Sequence, residues 1–115
     1  LRAVKAQEAA RRVGFDWDDP LDALKKVPEE AQEVLDARRK GGNVRDELGD
    51  LLFACVNVAR LMDTNPDEVV TLATEKFINR FEWMENAMKS DQKASKCLTL
   101  EEWDVYWERS KQVFI

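Results

Sequence analysis

At 115 residues and 13.3 kDa the chain has the length of one domain, and a domain this small buries only about two-thirds of its unfolded surface, so a partner chain would add to its core. Hydrophobic residues make up 44% and charged residues 36%, too apolar for a disordered chain, while only 4 Gly and 3 Pro leave little punctuation for a many-stranded sheet. A net charge of −5 argues against broad binding to nucleic acid or an anionic membrane surface, and the absence of histidine removes the usual zinc ligand sets.

Cys55 and Cys97 form no Cys-x-x-Cys pair, so a metal held by this chain must sit on oxygen, which selects hard ions such as Mg²⁺, Mn²⁺ or Ca²⁺. No apolar run approaches the roughly 20 residues of a membrane span and no signal-peptide pattern is present, so the expected location is cytoplasmic. The sequence opens inside a helical pattern at Leu1-Arg2-Ala3-Val4-Lys5, which reads as a piece of a longer protein.

The first expected helix covers residues 1–13, rich in Ala, Lys, Glu and Arg, and Gly14 ends it. Phe15-Asp16-Trp17-Asp18-Asp19-Pro20 is an acidic turn segment with two large aromatics. Buried aromatics being common, Phe15 and Trp17 read first as caps on the bundle core; the alternative is that they cover a neighbouring site. Leu21 to Lys40 is helical in pattern but contains Pro28. Either that helix kinks, or a short helix ends near Lys26 and Glu29 and Glu30 fall in the first turn of a new one.

Arg38-Arg39-Lys40-Gly41-Gly42-Asn43 is a stop and restart, with cations in the last turn, glycine beyond it and Asn43 as the next N-cap. A helix from Val44 to Met62 follows, with Leu48, Leu51, Leu52, Cys55, Val58, Ala59 and Met62 as its apolar stripe and Glu47, Asp50 and Asn57 on its polar face. Gly49 within it reads as permitting close approach of another backbone. Asn65 and Pro66 start a helix running to about Lys89 that carries Lys76 and Arg80 four apart. A polar loop is expected from Ser90 to Cys97, and the capping box Thr99-Leu100-Glu101-Glu102 opens a last helix to about Gln112. The expected fold is all-α, a single domain over 1–115 forming a bundle of four to five helices, its core completed by dimerisation.

The chemistry concentrates between Glu29 and Asp50. Residues three apart on a helix share a face, so Glu30 with Glu33, and Glu47 with Asp50, form two acidic pairs that a helix–turn–helix would bring together. Four carboxylates at short range repel, and a cation relieves them. Mg²⁺ suits such a set and is commonly shared with substrate phosphates, for which Lys76 and Arg80 offer a point charge and a planar fork. They read equally as surface cations. Attack on phosphorus would then come from a metal-generated hydroxide or from a water deprotonated by a carboxylate, with Glu29 or Glu33 positioned for the water.

Glu29-Glu30-x-x-Glu33 followed by Glu47-Leu48-Gly49-Asp50-Leu51-Leu52-Phe53 resembles the signature of the all-α nucleoside triphosphate pyrophosphohydrolases. Val13-Gly14-Phe15-Asp16-Trp17, Glu47 through Arg60, and Glu75-Lys76-Phe77 with Arg80-Phe81 extend the likeness to the C-terminal catalytic domain of the MazG family. The acidic motif alone would also fit dimeric dUTPases and phosphoribosyl-ATP pyrophosphohydrolases. The resemblance implies cleavage between the α and β phosphates of nucleoside triphosphates, in a homodimer, with Mg²⁺ (Mn²⁺ as an alternative) on Glu30, Glu33, Glu47 and Asp50 and with Glu29 among the catalytic acids. It further implies phosphate contacts from Lys76 and Arg80, base or ribose contacts from Phe15 or Trp17, and a substrate contact from Asn57. Thr74, Asn79 and Pro28 depart from the pattern expected of the family. The rival reading is a catalytically silent helical module binding nucleotide or a protein; a di-iron bundle is set aside, because it uses Glu-x-x-His pairs.

Overall fold

The computed structural model describes residues 1–93 and 97–113, and within them the chain is helical, with no strand. The five helices are α1 (Arg2–Arg12), α2 (Pro20–Lys40), α3 (Val44–Leu61), α4 (Pro66–Ser90) and α5 (Leu100–Val113). The all-α expectation holds.

The helix ends follow local chemistry. Asp19 caps α2 by accepting from the Leu21 N–H at 2.9 Å, with Pro20 at the first helical position, where its missing N–H does no harm. Asn43 caps α3 through the Asp46 N–H at 3.0 Å, and Asn65 caps α4 through the Asp67 and Glu68 N–H groups. Thr99 and Glu102 exchange hydrogen bonds at the start of α5, the reciprocal pattern of a capping box. Asp91 to Lys93 of the expected loop form a turn; residues 94–96 lie outside the described residues.

Helix α2 runs unbroken through Pro28, so the alternative of a new helix starting near Glu29 does not apply. Glu30 therefore sits deep in a 21-residue helix, away from any first turn. Packing supplies what Pro28 removes, because α2 lies along α3.

The chain forms two compact units, residues 1–69 and 70–115. In the first, α3 packs on α2 and, less extensively, on α1. The connection from α2 to α3 is only three residues long: Gly41 takes the left-handed conformation at φ 73° and Gly42 donates back to the Ala37 carbonyl at 2.8 Å, which folds the two helices into a hairpin. A Cβ on Gly49 would meet nothing within 4 Å in this chain, so the close approach expected there is not made by described residues. The interior of this unit is thin. Its most buried positions include Ala23, Gln7 and Glu30, while Leu48 and Leu52 of the expected α3 stripe stay 43% and 59% exposed.

The second unit is held by aromatic packing. Met84, Met88 and Tyr106 are buried together, with Trp83, Ala87, Leu98, Trp103 and Trp107 around them. Phe77 stacks on Phe81 and meets Trp107, and Phe81 meets Trp103, at centroid separations of 5.7 to 6.1 Å. The Tyr106 hydroxyl donates to Asp91 at 2.6 Å, tying α5 to the end of α4. Among the described residues no helix is long and apolar enough to cross a membrane.

Candidate functional site

The α2–α3 hairpin sets opposite each other the two acidic segments that lie on either side of its turn. Glu30, Glu47 and Asp50 each offer a carboxylate oxygen, and these atoms all lie within 4.8 Å of one another. Glu33 is exposed and falls outside this group of three. Three carboxylates this close repel unless a cation lies among them, and an oxygen-only donor set of this size fits a small hard divalent ion. One oxygen of Glu30 is buried with no hydrogen-bond partner, a position a bound ion would satisfy.

Lys26, one turn before Glu30, already supplies part of the missing charge. Its ammonium lies 3.5 Å from Glu30 and 3.5 Å from Glu29, and those carboxylates, Glu30 foremost, raise its pKa above the usual lysine value. Sequence reasoning passed over Lys26, although its i, i+4 spacing to Glu30 was visible.

Next to the acids opens a cavity of about 480 Å³, lined by Glu30, Lys26 and Asp50 and, further along α3, by Phe53, Ala54, Asn57 and Arg60. Ala6, Gln7 and Ala10 of α1 and Phe15, Asp16 and Trp17 of the following linker complete its wall. Phe15 and Trp17 are thus wall residues of a cavity and not caps on a core: they remain 81% and 42% exposed. Asn57 lines the same cavity. Its Oδ1 accepts from Arg60 Nη2 at 2.6 Å.

Arg60 is the polar centre of the far end. Its side chain is only 7% exposed and lies against Asp16 at 2.7 Å and Glu8 at 3.1 Å. The Arg60 fork holds the Asp16 carboxyl below the ordinary aspartate range, and Asp16 in turn raises Arg60. Among the described residues, Gln7 Oε1, Glu30 Oε2 and Arg60 Nε are buried without a hydrogen-bond partner, and all three residues line this cavity. Buried polar atoms are rarely left unpaired in native proteins, so these three call for water or a polar ligand in the cavity.

Residues 18–84 match the family model of the MazG nucleotide pyrophosphohydrolase domain. The chain belongs to the MazG family. A nucleoside triphosphate pyrophosphohydrolase/pyrophosphatase MazG of Thermotoga maritima is 38% identical over 109 residues, covering 95% of this chain and 42% of that protein. A nucleoside triphosphate pyrophosphohydrolase of Escherichia coli K12 is 34% identical over 116 residues, covering 97% of this chain and 44% of that protein. The chain thus spans under half the length of these curated relatives. The MazG match takes in the whole acidic hairpin and ends on α4 at Met84.

Lys76 and Arg80 stand on α4 in the second unit. Lys76 is exposed; Arg80 is half-buried, its guanidinium 5.2 Å from the centre of the Trp107 ring on α5.

Proposed function

We propose that this MazG-family chain hydrolyses nucleoside triphosphates to nucleoside monophosphate and pyrophosphate with Mg²⁺, with Mn²⁺ as a substitute, in nucleotide-pool house-cleaning or regulation in the cytoplasm. The observation that carries the reading is the set of three carboxylates within 4.8 Å at the edge of a cavity with an aromatic wall. Acids alone account for an ion; acids beside aromatic rings and a lysine account for an ion, a phosphate chain and a ring system in one ligand.

Glu30, Glu47 and Asp50 hold the metal, joined by Glu33 from the next turn of α2. When bound, Mg²⁺ supplies positive charge to the phosphate oxygens. Lys26, beside Glu30, would be free to meet a phosphate oxygen where Glu30 holds the ion, and the family resemblance gives Lys76 and Arg80 a phosphate-contacting role. Phe15 and Trp17 receive the base, and Asn57 contacts the sugar or base. Glu29, or Glu33 where it is not on the metal, accepts a proton from water as the water oxygen attacks the α-phosphorus. The bond from that phosphorus to the α–β bridging oxygen breaks, and pyrophosphate leaves with the electron pair.

The chain acts as a homodimer in this reading, since the exposed Leu48 and Leu52 of α3 lack a cover within their own unit. The activity is tested by supplying common and deoxy triphosphates with Mg²⁺ and separating pyrophosphate from orthophosphate. Pyrophosphate and monophosphate in equal amounts are expected, and Glu47→Gln should abolish both. Orthophosphate as the first product, or turnover unaffected by Glu47→Gln, would overturn the reading.

A further inference from the structure

The Asp16 carboxylate joins three elements at one point. Its Oδ1 accepts from Arg60 Nη2 at 2.7 Å and from the Trp17 N–H at 2.9 Å, and its Oδ2 accepts from Arg60 Nη1 at 3.1 Å. Two parallel bonds from a planar guanidinium fix direction as well as distance. Arg60 is itself held by Glu8 of α1 and Asn57 of α3, which ties the linker at Asp16 to both helices. On the other side of Asp16 the chain is turned back by Gly14, at φ 93°, with the Gly14 and Phe15 N–H groups donating to the Arg11 and Ala10 carbonyls. The segment Phe15-Asp16-Trp17 is thereby registered against α3, the helix that also carries Glu47 and Asp50.

A clamp that served folding alone would be expected to draw the neighbouring rings into the interior. Here it does the opposite. Phe15 stays 81% exposed and Trp17 42% exposed, one on each side of a carboxylate that is itself only 15% exposed. Both rings line the cavity whose other end is acidic. Large exposed rings on the wall of a cavity that has acids at its far end are suited to stacking on a flat heterocycle.

We propose that Asp16 is a positioning residue of this site: clamped by Arg60, it holds Phe15 and Trp17 where the base of a bound nucleotide stacks. The proposal rests on the triphosphate reading above and adds a residue that touches neither phosphate nor metal. It predicts that the clamp governs the nucleoside half of the ligand and leaves the phosphate half alone.

The test uses the intact chain with Mg²⁺ and two probes in titration calorimetry: an adenosine triphosphate whose α–β bridge is a methylene, and inorganic tripolyphosphate, which has no base. Asp16→Asn should weaken nucleotide binding on the order of tenfold or more, the size of one lost base–aromatic stack. Tripolyphosphate binding should stay within about twofold, as expected for a site that shares no partner with the change. Asp16→Glu, which keeps the charge, should recover most of the loss; if Asp16→Asn does not fold, Arg60→Lys, which keeps the charge but breaks the planar fork on Asp16, serves the same comparison. Equal weakening of both probes would make the clamp merely structural and overturn the proposal, as would unchanged nucleotide binding in the variant that breaks the clamp. A wild-type chain that binds both probes but releases no pyrophosphate from a normal triphosphate fails the earlier reading, while the comparison of probes still decides this one.

Discussion

Glu30 sits at 9% exposure with one oxygen beside Lys26 and the other unpaired, while Glu47 and Asp50 crowd it from α3. Such a group is destabilising until a cation arrives. Asp50→Asn removes one of the three negative charges, so the metal-free variant should melt at or above the wild-type temperature while turnover falls on the order of 100-fold or more. A lower metal-free melting temperature with activity retained would contradict this role. Asp16 makes the opposite prediction for stability. Because the Arg60 fork lowers its pKa, its contribution is present above the unfolded value of about 3.9 and is lost as pH falls through the lower folded value. Urea titrations should therefore show the gap between wild type and Asp16→Asn full near neutrality and closing only below about pH 4. A gap that does not change with pH would rule out the ion pair as its source.

The helices show why some features could be read from the sequence and others could not. The caps at Asn43, Asn65 and Thr99 depend on residues two or three positions away, and the sequence carried them in full. The acidic pair Glu47 and Asp50 was legible for the same reason, with three-residue spacing and an apolar continuation along α3. Continuity of α2 through Pro28 was not legible, because packing on α3 and not local propensity decides it. Arg60 is joined to Asp16 across 44 positions, a pairing that no local pattern announces. The exposure of Phe15 and Trp17 depends on what does not pack over them, so composition favoured the wrong role. Pro28 still leaves its mark on α2: it is exposed, and it cannot donate to the Leu24 carbonyl. Pro28→Ala should raise unfolding stability by about 1–3 kcal/mol in urea titrations. A loss of stability would mean that the proline shapes the helix in a way the packing requires.

At the scale of the whole molecule, apolar surface and function meet on the hairpin. The helix that carries Glu47 and Asp50 toward the cavity also presents Leu48 and Leu52 outward, and no α3 residue is fully buried. Sedimentation equilibrium should give twice 13.3 kDa at micromolar concentration, and Leu52→Glu should shift the chain toward monomer; a wild-type monomer would remove the dimer from the account. The reaction proposed for this site is cleavage between the α and β phosphates. It is tested most directly by running turnover in ¹⁸O-labelled water and locating the label by mass spectrometry. The account predicts one ¹⁸O in the nucleoside monophosphate and none in pyrophosphate; label in pyrophosphate, or in orthophosphate released with a nucleoside diphosphate, would contradict it.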